Sequence, residues 1–193
     1  MPLPFYTVGH STRTLEAFAQ LLRAAGVTLV VDIRTIPRSR TNPQFNGDAL
    51  PQALAPYAIG YRQIAELGGR RTKSKTVPPE RNGFWENQSF HNYADYALGD
   101  AFRAGLQQLI ALGREQRCAM MCSEAVWWRC HRRIVADYLL ARGERVFHLM
   151  NDDRIETATL TRGAQIRDDG NVDYPSLEKS ASAAQGALLG SSA

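Results

Sequence analysis

Residues 118–133 read CAMMCSEAVWWRCHRR. The first five are apolar without a break, the pattern of a strand covered on both faces. Ser123 and Glu124 interrupt the run, and AVWWRCHRRIVADYLLARG (125–143) then repeats apolar residues at helical spacing as far as Gly143. A strand that hands the chain to a helix through a short turn is the repeating unit of a parallel α/β sheet. The same stretch concentrates chemistry: positions 122 to 133 hold two cysteines, one glutamate, one histidine and three arginines. A thiol at a strand end, facing a helix N-terminus and basic side chains, is stabilised as a thiolate. Such settings lower a cysteine pKa from about 8.5 to roughly 3.5–7.5. The stretch therefore predicts one wall of an active or binding site.

Working outward, the same alternation recurs. FYTVGHS (5–11) is an apolar strand ending in Gly-His-Ser, and TLEAFAQLLRAAG (14–26) is a helix with Thr14 as cap. TLVVDIR (28–34) is a β-branched run, again a strand buried on both faces. A third strand is expected at 60–64, after a short helix at 48–58 with Asp48 as cap. Helical periodicity fills 90–113, with a break near 98–100, and ERVFHLM (144–150) supplies a fifth strand. These elements predict a three-layer, Rossmann-like α/β fold. Its sheet has five mainly parallel strands in the expected order 3-2-1-4-5, with helices on both faces. One α/β domain is expected over 1–175, with Asp168-Asp169-Gly170 as a hairpin turn. The small-residue-rich segment 176–193 reads as a flexible tail. Residues 70–89 lack apolar periodicity and read as a lid, a binding loop or a disordered segment.

Composition narrows the class. The 193 residues are 44% hydrophobic and 22% charged, ordinary for a globular protein. No apolar run is long enough to cross a membrane, and the opening MPLPFYTVGHS has no signal-peptide pattern. Three cysteines give no disulfide framework, so a reducing cytoplasm is expected. The net charge of +4 comes from 23 basic and 19 acidic residues. The basic groups cluster at 34–40, 62–81 and 129–133, which attracts phosphates or nucleic acid.

The elements TVGHS, VVDIRTIPRSRTNPQFN, GYRQIAELGG, YADYALGDAF and MCSEAVWWRCHR together resemble the bacterial and archaeal family called domain of unknown function 488. The resemblance covers about 5–150 and implies the fold more than the activity. Similar members often carry a proline shortly before Cys-His-Arg, where this chain has Trp127 and Trp128.

In such sheets ligands bind outside the carboxyl ends of the strands. The residues there define the candidate site. Cys122 is the candidate nucleophile, although a strand cysteine in line with Cys118 also suits a core. The phosphatase spacing Cys-x5-Arg is missed by one, since Trp128 stands sixth after Cys122 and Arg129 seventh. Glu124 is a candidate general base with His10 as acid. Ser11, Arg34, Arg38, Arg40, Arg129, His131 and Arg132 are candidate anion contacts, because arginine forks match phosphate geometry. Asp32 and Cys130 are read as structural support, Asp32 by pairing with arginine. A metal set of Cys122, Cys130, His131 and His10 is weighed and left out: neighbours on a helix point about 100° apart, and Cys130 shares a core stripe with Val126, Ile134 and Tyr138. No cofactor or metal is expected. Two readings follow. One is an enzyme on a phosphate-bearing small molecule or nucleic acid. The other is a non-catalytic nucleic-acid-binding module that stacks bases on Trp85, Trp127 and Trp128. No membrane partner is expected, and the oligomeric state is left open.

Overall fold

Residues 2–150 and 154–176 are described by the structure, a computed structural model. Five strands run parallel: β1 (Phe5–Gly9), β2 (Leu29–Asp32), β3 (Gly60–Gln63), β4 (Cys118–Cys122) and β5 (Val146–Leu149). A sixth, β6 (Ile155–Thr157), adds to the β5 edge antiparallel. The expected three-layer α/β fold is present. Helices α1 (Leu15–Ala24) and α2 (Leu50–Leu54) cover one face, packing on Tyr6, Val8, Val30 and Met121. Helices α3 (Gln88–Ala97), α4 (Asp100–Glu115) and α5 (Arg132–Leu140) cover the other, over Phe5, Val31, Cys118 and Met120. Alternate residues of β4 thus feed the two cores, which is why its five residues can all be apolar and buried.

The strand order is β3-β2-β4-β1-β5-β6. β1 and β4 are neighbours as expected, with Tyr6 opposite Ala119 and Gly9 opposite Cys122. The expected contact of β1 with β2 is corrected, because β4 inserts between them and pairs with both. The crossover through α1 therefore skips one strand position. The wholly apolar β4 takes a central place, with strands on both sides and helices on both faces, while the more polar β3 lies at an edge.

Two helix starts also differ from expectation. Asp48 does not cap α2, which follows Ala49 without a side-chain cap; its carboxylate instead lies 3.5 Å from Arg38. The helix expected from residue 125 begins only at Arg132, preceded by an irregular segment with a 3-10 turn at Trp127–Arg129. Tertiary contacts hold that segment open. The Trp127 indole stacks on His148 at 4.4 Å and donates Nε1–H to Glu156 at 2.9 Å.

Beyond the sheet, β7 (Gln165–Ile166) and β8 (Val172–Asp173) form the hairpin that Asp168-Asp169-Gly170 predicts, with Gly170 at φ +77°. It returns Val172 and Tyr174 to the α3–α5 core. The Tyr174 hydroxyl and the Thr161 N–H, each at 2.8 Å, donate to the buried Asp137. The expected flexible tail lies, from residue 177 on, outside the described residues. No described helix is long and apolar enough to cross a membrane.

Candidate active site

The carboxyl ends of β1, β2 and β4, with the chain after β3, enclose a cleft of about 690 Å³. His10, Arg34, Cys122, Glu124 and His131 all line it, so the candidate residues from three strand ends converge. The loop after β3 adds Arg70, Arg71 and Thr72, and the start of α3 adds Ser89 and Phe90.

The β2 side is internally complete. Arg34 is buried and pairs with Asp32, Nε to Oδ1 at 2.9 Å and Nη2 to Oδ2 at 2.6 Å. Its Nη2 also donates to the Phe45 carbonyl at 2.6 Å, and the Tyr61 hydroxyl donates to Asp32 Oδ2 at 2.8 Å. Burial disfavours the Arg34 cation, but the Asp32 bonds outweigh it and raise the pKa further. His10 completes the set. Its Nδ1 lies 2.9 Å from the Ser11 carbonyl and so carries the proton, leaving Nε2 to accept from Arg34 Nη1 at 3.2 Å. Burial lowers the His10 pKa, and the ring stacks on Phe45 at 4.4 Å. Both ring nitrogens are engaged, so His10 orients Arg34.

The β4 side is different. Cys122, Cys130 and His131 bring their sulfurs and a ring nitrogen within 4.8 Å of one another. Cys130 and His131 precede α5, with Cys130 extended at φ −126° and ψ 145° and His131 at the N-cap. The objection that helical neighbours diverge therefore does not apply. His131 Nε2 lies 2.9 Å from the Ile33 carbonyl and so donates, which leaves the Nδ1 lone pair facing Cys122 Sγ at 3.9 Å and Cys130 Sγ at 3.7 Å. The adjacent Cys130 thiol and the Arg132 guanidinium outweigh burial and hold Cys122 below the usual thiol range. Burial and the negative Cys122 push Cys130 the other way. The sulfur pair lies close to the N-terminus of α5. Gly69 makes room for it, since a Cβ there would run into the His131 ring.

The predicted anion contacts separate into groups. Arg38 and Arg129 are exposed on the cleft lining. Arg70 joins them, while Arg71 is held by the Gly68, Ala65 and Glu66 carbonyls and lies over Tyr96. Arg40 lies outside the cleft, in an adjoining depression with Pro43 and Asn46. Ser11 is also outside it, at φ +48°, where its N–H bonds the Ser123 carbonyl at 3.0 Å. Arg132 is a correction. It is 1% exposed and does not reach the cleft lining. Its Nη2 donates to the Ala125 carbonyl at 3.3 Å, while among the described residues Nε and Nη1 find no hydrogen-bond acceptor. The expected helix N-terminus near Glu124 is likewise displaced to residues 131–132, beside the sulfurs. The stacking platform is corrected too. Trp85 is buried between Phe90 and Tyr174, and Trp127 is stacked on His148, which leaves Trp128 exposed. Sequence reasoning placed Cys130 in the core. Its place in the cluster depends on the delayed start of α5, and its core-like i, i+4 stripe gave no sign of that.

The model of the family described as Domain of unknown function DUF488 matches residues 14–139. The chain belongs to that family. The matched span contains Asp32, Arg34 and the Cys122–His131 cluster; it begins after His10 and ends before β5. No curated protein and no solved structure matches the chain.

Proposed function

We propose that the cleft binds a phosphate-bearing ligand, a nucleotide or a nucleic acid, and that chemistry on it takes place at the Cys122 end of the floor. One observation supports this reading above the others. Arg38, Arg70 and Arg129 are exposed around a cleft that also contains the Cys122 sulfur. Among the described residues Arg70 and Arg129 have no ion-pair partner, and Arg38 has only the exposed Asp48. Several guanidinium groups converging on one space repel each other, and a multiply charged anion relieves that repulsion. Glu124, exposed on the same lining, is the carboxylate in reach of a bound ligand as general base. His10 and Asp32 act through Arg34 as positioning residues. The competing reading, a binding module that stacks bases, is weakened by the internal engagement of Trp85 and Trp127.

Titrations of the full chain with nucleotides and short oligonucleotides at two salt concentrations test this. Affinity is expected to fall steeply with salt. Arg38→Ala and Arg129→Ala are each expected to weaken binding several-fold and to reduce the salt slope by about one. Cys122→Ser is expected to retain binding and lose turnover. No measurable binding at low salt, or unchanged affinity in both arginine variants, overturns the proposal.

A further inference from the structure

We propose that Cys122, Cys130 and His131 are three protein ligands of a divalent, borderline-soft metal ion, zinc in the first instance, whose fourth position opens into the cleft. The three donor atoms already stand close to the required spacing. A tetrahedral ion about 2.3 Å from each sulfur and about 2.0 Å from a ring nitrogen sets sulfur and nitrogen roughly 3.6 Å apart. The observed separations are 3.9 Å from Cys122 and 3.7 Å from Cys130 to His131 Nδ1, and all three atoms lie within 4.8 Å. Closing to metal distances shortens the two sulfur–nitrogen separations by a few tenths of an ångström and brings the sulfurs, within 4.8 Å of each other, to about 3.8 Å.

A second, independent observation points the same way. His131 donates Nε2–H to the Ile33 carbonyl at 2.9 Å, which fixes the tautomer that keeps Nδ1 free as a lone-pair donor toward both sulfurs. A histidine whose far nitrogen is tied to a backbone carbonyl is the outer-shell arrangement that orients imidazole on metals. Tyr93 supports it from the side, its ring edge-on to His131 at 5.0 Å. Gly69 leaves the space that the ring occupies.

The charge balance closes. On loading, both cysteines bind as thiolates, any thiol proton leaves to solvent, and the two thiolates neutralise the dication. All three ligands line the cleft, so the remaining coordination position faces it. Three protein ligands with an open fourth position is the pattern of a catalytic, not a structural, zinc site. That a phosphate oxygen or a water takes this position rests on the anion-binding reading above; the three protein ligands do not depend on it.

The test uses the full chain, freed of metal by a chelator under reducing conditions and titrated with cobalt(II) without oxygen. One equivalent is expected to bind, with sulfur-to-cobalt charge-transfer absorption and the visible bands of tetrahedral coordination, both removed by added zinc. Cys122→Ser, Cys130→Ser and His131→Ala are each expected to weaken uptake by more than the roughly 10–100-fold that losing an outer-shell partner costs. Cys118→Ser, at the far end of the same strand, is expected to keep the spectrum. Thermal unfolding of each variant without metal verifies that it is folded. A wild-type protein that shows no charge-transfer band at stoichiometric cobalt overturns the inference, as does a band that survives in both Cys122→Ser and Cys130→Ser. The two proposals fail separately. Cobalt binding without nucleotide binding removes the anion reading and leaves this one standing, and the reverse result removes this one alone.

Discussion

The chain leaves two neighbouring strands, β2 and β4, in opposite electrostatic conditions. At the end of β2 the two buried charges are answered within the fold: Arg34 meets Asp32, Phe45 and His10, and Asp32 meets Tyr61. Past β4, groups are left open: the His131 Nδ1 lone pair faces two sulfurs, and Arg132 carries two nitrogens without an acceptor among the described residues. A closed network fixes geometry and is costly to disturb. An open one keeps its donors and lone pairs for something that arrives later. The first segment is scaffold for the cleft, and the second carries the groups on which both proposals rest.

The contrast is broken most directly at Arg34. Arg34→Met leaves the Asp32 carboxylate buried without its cation and is expected to cost about 3–5 kcal/mol of unfolding free energy. Denaturant titration measures this, and a loss below about 1 kcal/mol would show that the pair is dispensable. Asp137 sharpens the comparison, because its two closest donors are neutral, the Thr161 N–H and the Tyr174 hydroxyl. Burial raises its pKa from 3.8 to about 6. Between those values the folded state holds more protons than the unfolded one, so this group's contribution to stability is full below about pH 4 and is lost as pH rises through 6. His148 acts in the opposite sense. Burial lowers its pKa from 6.5 to about 4, so its contribution is lost as pH falls through that range. The two slopes oppose each other in the wild type. Asp137→Asn removes the first, and stability is then expected to rise with pH between about 4 and 6.5, by something on the order of 2–3 kcal/mol. A profile as flat as the wild type's would contradict the assignment. Tyr61→Phe, which removes one donor from Asp32, is expected to cost about 1.5–2 kcal/mol by the same denaturant measurement. The smallest change is expected at Arg132. A buried cation with unsatisfied nitrogens contributes little to stability, so Arg132→Met should stay within about 1 kcal/mol of wild type or gain. A loss as large as that of Arg34→Met would erase the distinction between the two strand ends.

Much of this was legible in the residues. Apolar runs located the five parallel strands to within two residues, and the rule that α/β sheets bind at their carboxyl ends gathered His10, Arg34, Cys122, Glu124 and His131 into one cleft. The internal pairing of Asp32 was foreseeable because a carboxylate two residues from an arginine at a strand end has a partner at hand. The start of α5 was not legible. Val126, Cys130, Ile134 and Tyr138 keep helical spacing, yet the Trp127 contacts with His148 and Glu156 hold residues 123–131 out of the helix. Those partners lie twenty or more residues further on, where no local pattern records them. The insertion of β4 between β1 and β2 was invisible for a related reason, since parallel pairing leaves no mark on the strands it joins.

That insertion also governs the order in which the molecule can be assembled during synthesis. β1 has no sheet partner until β4 and β5 exist, because its neighbours are those two and not β2. Tyr6 must wait for Ala119, 113 residues later by difference of the two positions. At a translation rate of about 5–20 residues per second, that leaves an apolar strand unpaired for roughly 6–23 s on the ribosome. β2 and β3 can pair far sooner, Val30 with Tyr61, but as a two-stranded fragment whose inner edge is held open for β4. Emergence of residues 118–122 joins the early pair to the waiting first strand, and the same segment delivers Cys122 to the cleft. A nascent chain stalled before residue 118 therefore exposes both edges that β4 would cover, and chaperone capture of this protein is expected to be greatest on such intermediates and to fall once that strand has cleared the exit tunnel.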